Sequence, residues 1–472
     1  MLSMRLLTDV TPLRENPAFR RLWLGTMLSR TGSAMTTFAV TLQVYDMTSS
    51  TAAVGGIAVA TLLPMVLIAL PGGSLADRFD RRRLVLVMTV LAAAVSGLLF
   101  GYAALRVDWV WPLYGLVVMS SGISAISAPA ATTFIPRLVG PEQRAAAMAL
   151  NRIIFQVMLI AGPALAGVIA AGIGVKGCYL VDTATFAGAL WGVGRLPAMP
   201  PEPAGGRGGA AGGRRLSGLA LTLEGLSFIG RSRVLAGAFL ADVNATFFGL
   251  PTSLFPAINA ERFGGDPRTL GLFGTAIGVG GLVSAVFAGP LRHISRHGLG
   301  MLCCVAVWGA GFAMFAVAPW LWLTLLALGL AGLADTFTVV LRGMIVQAET
   351  PEEFRGRVNA ADYLVGAGGG ELGSLEAGLV GSLTTPAISA LCGGLLTVAG
   401  AIVIGAAVPG FRRYRGPAPA GREAEPRPAA EPESGQEPEP ESRQEPVSGQ
   451  ETETESGPVP ELDPELAGRG GQ

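Results

Sequence analysis

Charged side chains are scarce in this sequence. Only 14% of the 472 residues are Asp, Glu, Lys or Arg, whereas 50% are hydrophobic and the mean hydropathy is +0.51. Ordinary soluble domains carry about 25% charged residues, and a chain with far fewer lacks the polar surface to face water on all sides. The composition therefore excludes an ordinary soluble enzyme and indicates a protein with several membrane spans.

Residues used in much catalytic and metal chemistry are also rare. His293 and His297 are the two histidines and share one loop, which excludes a histidine relay within the membrane, and Lys176 is the single lysine. We find no phosphate-binding loop, H-E-x-x-H or H-x-x-x-x-D motif, so we expect no enzyme, ATP use, nucleic-acid partner, metal or other cofactor. Four cysteines in apolar runs without C-x-x-C spacing are interpreted as small core residues: Cys178, Cys303, Cys304 and Cys392.

Apolar stretches long enough to cross a bilayer recur along the chain. A span needs about 20 apolar residues, and backbone groups in hydrocarbon must be hydrogen-bonded within their own segment, so each stretch is predicted to be a helix. The sequence thus predicts an all-α polytopic membrane protein with twelve spans at 19–45, 54–75, 84–104, 109–132, 143–170, 177–196, 234–258, 269–290, 299–318, 320–341, 357–383 and 387–409.

Arginine is concentrated in every second loop. Few basic residues lie in the alternate loops, so the positive-inside rule predicts a multi-pass protein of the cytoplasmic membrane with both termini in the cytoplasm. An even number of spans agrees with this orientation. The arginine-rich loops include Arg78 and 81–83 after span two, Arg137 and Arg144 after span four, and Arg342, Arg355 and Arg357 after span ten.

The two halves of the sequence resemble each other. The segment 141–144 before span five recurs as 351–355 before span eleven, and at an offset of 211 residues Gly162 and Gly167 fall on Gly373 and Gly378. Two parallel six-helix repeats are typical of secondary transporters, although small-residue matches also arise by chance in a chain with 66 glycines. The predicted parts are an N-terminus at 1–18, halves at 19–196 and 231–410, a linker at 197–230 and a tail at 411–472.

Acidic residues are concentrated at the end of the chain. Fourteen acidic and 4 basic residues follow position 420, which leaves 20 acidic and 30 basic residues before it, although the net charge of the whole chain is zero. The tail is rich in Pro, Glu, Gln and Ser and is predicted to be disordered. It is interpreted as a solvated extension or as a cytoplasmic interaction segment.

The loop between spans two and three carries a recognisable signature. Residues 73–83 read GSLADRFDRRR, which resembles the G-x-L-A-D-R-x-G-R-R motif of the major facilitator superfamily (MFS), with Asp80 in place of the usual glycine. The resemblance implies the MFS fold of two six-helix halves and a loop that controls the cytoplasmic gate. The residues implied in this loop are Gly73, Asp77, Arg78, Arg81 and Arg82.

A second motif lies in span five. Gly162, Pro163 and Gly167 resemble part of the G-P-x-x-G-G signature of the antiporter branch, and the alternative is a proline-kinked helix that packs through small residues. The body is also similar to the enterobactin exporter group of this superfamily, which implies proton-driven export of a siderophore. Macrolide and multidrug exporters share much of the pattern. The similar segments are 17–20, 75–78, 138–140, 254–257, 347–352, 356–359 and 411–415.

A few ionisable residues lie within the predicted spans. Such residues are costly in a bilayer and are functional candidates by default. Asp242 in span seven and Glu371 in span eleven are the leading candidates for a proton site, while Glu376 projects about 140° away from Glu371 around the helix. Arg30 and Arg152 are expected to balance carboxylates across the bundle or to bind an anionic substrate. For Arg152, Asp335 and Asp182, a fixed ion pair between helices is the alternative to a functional role.

Three functions were weighed on these features. The favoured hypothesis is a proton-coupled MFS exporter of a small organic molecule, either a siderophore or, alternatively, a drug or macrolide. Its expected partners are the substrate and the lipid bilayer, and a monomer is expected. A membrane sensor that signals through the acidic tail and a polytopic lipid-modifying enzyme are the alternatives of other classes.

Overall fold

The computed structural model describes residues 9–199, 218–287 and 295–416, without the side chains of residues 69–78, 218–222, 286 and 367. Within these ranges almost every residue is helical and none lies in a β-strand. The chain forms two units, Met1–Pro419 and Ala420–Gln472, and all the described residues belong to the first. Residues 200–217 of the linker and the tail from position 417 lie outside the described residues.

Eight helices form the first group. Several of the long helices begin where a polar side chain caps the free N–H groups of the first turn: Asn16 accepts from the backbone of Phe19, and Ser50 from that of Ala53. The helices are α1 (Thr11–Glu15), α2 (Pro17–Thr48), α3 (Thr51–Arg78), α4 (Arg81–Ala104), α5 (Trp111–Thr132), α6 (Phe134–Leu138), α7 (Arg144–Ile173) and α8 (Val175–Gly194).

The second group of helices begins at Gly218. One helix, α9 (Gly218–Arg231), lies within the region interpreted as a linker between the halves. The remaining helices are α10 (Arg233–Phe248), α11 (Phe255–Phe263), α12 (Pro267–Val286), α13 (His297–Val317), α14 (Leu321–Glu349), α15 (Arg355–Leu383), α16 (Pro386–Ala407) and α17 (Pro409–Arg412).

The predicted span at 234–258 is broken in the structure. Helix α10 ends at Phe248, a short turn of 3₁₀ helix covers Thr252–Leu254, and α11 follows. Pro251 lies between them and cannot donate the hydrogen bond that a continuous helix requires. The carbonyl of Ala245, in the last turn of α10, accepts hydrogen bonds from Gly249 N and Trp308 Nε1, at 2.9 and 3.2 Å.

Each of the twelve predicted spans overlaps a long helix, but the helices differ in polarity. Nine segments of the described chain are long and apolar enough to cross a membrane. Three further long helices, α2, α8 and α15, are not among these nine. Two of them carry several charges, such as Arg20, Arg30 and Asp46 in α2 and Asp362 and Glu371 in α15. The number of twelve spans therefore stays a prediction.

The two groups of helices pack in the same pattern. In the first group α2 contacts α7 and α8, α3 contacts α5, and α4 contacts α5 and α8. In the second group α10 contacts α15 and α16, α12 contacts α14, and α13 contacts α14 and α16. Two long contacts join the groups, α7 with α12 and α3 with α15. If each helix is replaced by the helix six spans away in the chain, the α7–α12 contact becomes the α15–α3 contact and the reverse. A pseudo-twofold axis between the two groups produces this relation.

The described chain stays packed past the predicted end of the second half at 410. Phe411 in α17 is fully buried, and its ring lies against Gly237 of α10 and Gly298 of α13. Neither glycine has a side chain, which leaves room for the aromatic ring at the helix ends. The packed body therefore includes the start of the segment interpreted as a tail.

Candidate transport site

A buried network of charges joins three helices of the second group. Nη1 of Arg342 on α14 lies 2.9 Å from Oδ2 of Asp242 on α10 and 2.7 Å from Oδ1 of Asp362 on α15. The side chains of Arg342 and Asp242 are only 10% and 6% exposed, whereas that of Asp362 is 33% exposed. Asp362 therefore connects a buried ion pair to more accessible space.

The sequence interpretation missed Arg342. It placed this residue in the loop after span ten, but α14 continues to Glu349, eight residues beyond the predicted end of that span at 341. Arg342 is thus inside the helix, two turns before its end, and it is buried. The signal that could have found it is the buried Asp242, because a buried carboxylate requires a partner of opposite charge or a set of hydrogen-bond donors.

Asp335 and Arg152 belong to the same electrostatic environment. Asp335 precedes Arg342 by seven residues on α14, which places the two on one face of the helix. The charges of Asp242, Arg342 and Arg152 all act on Asp335. The guanidinium of Arg152 on α7 lies 5.0 Å from the ring centre of Phe155. The structure therefore brings together three residues that were proposed separately, Asp242, Asp335 and Arg152, around an arginine that was not.

Glu371 lies in apolar surroundings apart from this network. No hydrogen bond or ion pair joins its carboxylate to another residue in the described part of the chain. It borders a cavity of about 240 Å³ between α3 and α15, whose other lining residues are Ala58, Val59, Leu62, Leu63, Val66, Leu372 and Leu375. Glu376, five residues further along α15, also has no such partner among the described residues.

Asp182 is held by hydroxyl groups and not by a cation. It is 2% exposed on α8, and its Oδ2 accepts hydrogen bonds from Thr36 of α2 at 2.7 Å and from Ser96 of α4 at 2.9 Å. Ser33 and Thr185 lie at 3.5 Å from its Oδ1. Among the described residues it forms no ion pair, so the fixed ion pair considered for Asp182 is replaced by a cage of hydroxyls that joins three helices.

Arg30 lies in the middle of α2 and is exposed, on the same side of the helix as the exposed Ser33 and Thr37. Within the described residues it has no ion pair or hydrogen bond. A row of exposed polar side chains in the middle of a membrane helix indicates a face turned toward water or substrate and away from lipid. This placement agrees with a role in substrate binding, which remains a proposal.

The signature loop is only partly described. Gly73, Asp77 and Arg78 lie in the last turns of α3, with side chains outside the described part. Asp80, which replaces the usual glycine, caps α4: its Oδ1 accepts from Arg83 N at 2.9 Å and its Oδ2 from Met199 N at 3.0 Å.

Arg81 and Arg82, which follow Asp80, both contact the segment at and just after the end of α8. Arg82 donates to the carbonyl of Gly194 at the end of α8, and the backbone N–H of Arg81 donates to Met199 O at 3.2 Å. These contacts tie the start of α4 to the end of α8.

The glycines of the antiporter-like motif make close contacts between helices. Gly162 faces Ala34 of α2, where an added Cβ would lie 2.6 Å from the Ala34 Cβ. Pro163 and Gly167 face Gly271 of α12, where a Cβ would lie 2.5 Å from Pro163 O. This motif therefore forms part of the contact between the two groups of helices.

The repeated glycines occupy equivalent places. Gly373, the counterpart of Gly162, faces the backbone of Thr246 and Phe247 on α10, the first helix of its own group. Gly378, the counterpart of Gly167, crosses to Gly55 of α3, just as Gly167 crosses to Gly271 of α12. Thr51 Oγ1 also donates to Gly378 O at 2.9 Å. Equivalent glycines thus play equivalent packing roles in the two groups.

The described residues contain no group of three His, Cys, Asp or Glu side chains that could hold a metal ion. The side chains described at the site are carboxylates, guanidinium groups and hydroxyls, which can exchange protons and form ion pairs with a substrate.

The fold is that of a major facilitator transporter. It superposes on the nucleoside transporter NupG with a TM-score of 0.63 and 14% identity, covering 82% of this chain and 99% of that one. It also superposes on a bacterial homologue of the iron transporter ferroportin in its inward-facing state, with a TM-score of 0.61 and 18% identity over 84% of this chain and 99% of that one.

Sequence comparison defines the family more narrowly. The transmembrane secretion effector model matches residues 7–417, and the chain belongs to this family of the major facilitator superfamily. It is 28% identical to the enterobactin exporter EntS of Citrobacter koseri over 88% of this chain and 97% of that protein. It is also 28% identical to EntS of Shigella boydii over 87% and 96%.

Proposed function

We propose that this transporter exports a small organic molecule from the cytoplasm in exchange for protons, and that the molecule is a siderophore of the enterobactin type. The observation that carries the proposal is the buried network of Asp242, Arg342 and Asp362, which joins α10, α14 and α15 at 2.9 and 2.7 Å. The similarity to enterobactin exporters over nearly the whole of both chains supports the direction and the substrate class.

The network has the properties that coupling requires. Two carboxylates share one guanidinium, so a proton on either aspartate breaks one ion pair and leaves Arg342 bound to the other. Because the three residues come from three helices, the change in pairing alters the contacts that hold those helices together. An arginine that has lost one of its two carboxylate partners also has N–H groups available to an anionic substrate such as a catecholate.

Transport into inverted membrane vesicles tests the proposal. Radiolabelled enterobactin is offered to vesicles under an imposed pH gradient, and exchange of labelled for unlabelled substrate is measured without a gradient. We expect Asp242→Asn and Asp362→Asn to lose most gradient-driven accumulation while exchange continues, because binding survives and proton coupling does not. Arg355→Gln is the matched control, since the one ion pair of Arg355 within the described residues is with the exposed Glu352, at 3.4 Å.

Two results would reject parts of the proposal. Full gradient-driven accumulation in both aspartate variants would remove the network from the coupling mechanism. Unchanged siderophore secretion after deletion of the gene under iron limitation, measured by mass spectrometry, would remove the siderophore.

A drug-like cation is the second candidate substrate. The cavity of about 240 Å³ beside Glu371 is lined by aliphatic side chains and one carboxylate that has no described partner. Such surroundings suit a lipophilic cation, whose charge would pair with the carboxylate and whose apolar parts would contact the walls. Gradient-driven uptake of tetraphenylphosphonium that is lost in Glu371→Gln and kept in Glu376→Gln would favour this candidate over the siderophore.

A further inference from the structure

A cavity lined by arginines lies where α13 begins and α17 ends. It has a volume of about 420 Å³, and the residues around it are Arg296, Leu299, Arg412, Arg413 and Arg415. All four arginines are exposed. The distribution of arginines along the chain predicts that this end of the helices faces the cytoplasm. The residues that line the cavity are distant in sequence from Asp242 and Asp362 and include none of the residues proposed for transport.

Within the described residues, none of these four arginines forms an ion pair or a hydrogen bond to a carboxylate. The sequence explains why, because residues 287–300 and 402–422 contain no Asp or Glu. Burial and then the carboxylate of Glu349 raise the pKa of Tyr414, which lies between Arg413 and Arg415 in sequence, to about 12. Four positive charges around one cavity, without an acidic partner among the described residues, favour an anion there.

The backbone adds to the attraction for an anion. Helix α13 is 21 residues long and begins at His297, beside Arg296 and two residues before Leu299. The free N–H groups and the positive end of the helix dipole therefore point toward the same end of the molecule as the arginines. The cavity combines guanidinium groups, which form paired hydrogen bonds to phosphate, with a helix N-terminus.

The surface that continues from this cavity is apolar. Leu299, Cys303 and Val307 follow one another at intervals of four residues along one face of α13, and each is exposed. Helix α16, which packs against α13, exposes Ile402 and Val403 by 66% and 62%. In a membrane protein, exposed aliphatic faces of this kind contact acyl chains. A free phosphate would use only the arginines, whereas a phospholipid would use both surfaces.

We propose that the cavity binds the headgroup of an anionic phospholipid of the cytoplasmic leaflet, with its acyl chains along the exposed faces of α13 and α16. The phosphate would lie among Arg296, Arg412, Arg413 and Arg415, and the lipid would join α13 to the segment that follows α16. Basic cavities at the cytoplasmic ends of membrane helices are suited to such headgroups because the arginines and the leaflet charge are complementary.

The first test places a negative charge inside the cavity. Native mass spectrometry of the full chain measures binding of phosphatidylglycerol and of phosphatidylcholine with the same acyl chains. We expect a selective phosphatidylglycerol complex that weakens roughly ten-fold or more in Leu299→Glu, since the new carboxylate pairs with the arginines. Leu299→Gln is the matched control, because it removes the same apolar side chain without adding charge. The first turn of α13 accepts glutamate well, so the variant is expected to fold.

A second pair of variants covers the arginines themselves. Arg412→Gln with Arg413→Gln should lose the complex, while Arg231→Gln with Arg233→Gln, which removes the same charge outside the cavity, should keep it. Equal binding of the two lipids, equal binding in Leu299→Glu and Leu299→Gln, or equal loss in the two arginine pairs would each overturn the proposal. Displacement of the lipid by millimolar inorganic phosphate would replace it with a site for free anions.

Discussion

One nitrogen atom of Arg342 serves two aspartates that come from two other helices. Three charged groups in this arrangement carry one net negative charge, and the pairing of any two depends on the third. Burying charges is costly, and the cost is offset only while each charge keeps its partners. The arrangement is therefore sensitive to any step that adds a proton, removes one or introduces another anion.

Removing the arginine should damage the fold more than removing either aspartate. We expect Arg342→Gln to lower the free energy of unfolding by about 3–5 kcal/mol, because it leaves two carboxylates without a positive partner. Asp362→Asn should cost less, since Asp242 keeps its ion pair. Thermal unfolding in detergent measures both variants, with Arg355→Gln as the exposed control. Equal stability of Arg342→Gln and wild type would show that the network contributes nothing to folding.

The hydroxyl cage of Asp182 gives a second prediction at this scale. Thr36→Val removes a 2.7 Å hydrogen bond to a buried carboxylate and should lower the free energy of unfolding by about 1–3 kcal/mol. Thr41→Val is the matched control on the same helix, because the Thr41 hydroxyl donates only to the backbone of Thr37. Denaturant unfolding of the two variants checks the difference, and equal midpoints would contradict it.

At the scale of helices, the contact between α7 and α12 depends on the absence of side chains. Gly167 and Gly271 face each other so closely that a Cβ on Gly271 would lie 3.1 Å from the Cα of Gly167. Helices in membranes associate through such small residues because close approach maximises dispersion contacts. Gln156 Nε2 adds a hydrogen bond of 2.6 Å to Gly278 O along the same contact.

A larger residue at this contact should separate the helices. We expect Gly271→Val to lower the free energy of unfolding by about 1–3 kcal/mol and to reduce transport, because the added carbons overlap Pro163 and Gly167. Gly172→Ala on α7 has open space around its Cβ and should leave both properties unchanged or slightly improved. Thermal unfolding and vesicle transport are measured for both variants. Unaffected transport in Gly271→Val would show that this contact does not move or close during the transport cycle.

At the scale of the whole molecule, the packed body extends to α17, after which the acidic tail begins. Phe411 is fully buried between α10 and α13, whereas the residues from 417 carry the acidic composition. The membrane-embedded body and the tail therefore differ in composition as well as in charge. The neutral sum of 34 basic and 34 acidic residues describes neither part.

Two truncations separate the roles of these parts. A chain ending at Gly416 should fold and transport like the full chain, because it keeps Phe411. A chain ending at Val408 should be less stable by about 3–5 kcal/mol, as expected for loss of a buried phenylalanine, and Phe411→Ala should reproduce the loss. Thermal unfolding and vesicle uptake measure all three. Loss of transport on ending the chain at Gly416 would show that the tail is required, as the sensor hypothesis expects.

The sequence by itself determined the class of fold, the region of each membrane helix and the glycines that repeat between the halves. It could do so because apolar length, loop arginines and small-residue spacing are local properties that the bilayer and close helix packing demand. It also identified Asp242, Asp335 and Arg152 as costly residues within the spans.

Only the tertiary structure decided the partners of these residues. The sequence interpretation placed Arg342 in a loop, because its neighbours in sequence do not reveal that α14 continues to Glu349 and that α10 supplies an aspartate. The hydroxyls around Asp182 come from α2, α4 and α8, and Thr36 and Ser96 lie 146 and 86 residues from Asp182 along the chain. An ion pair depends on distances of a few ångströms between helices that are remote in sequence, and those distances are set by packing.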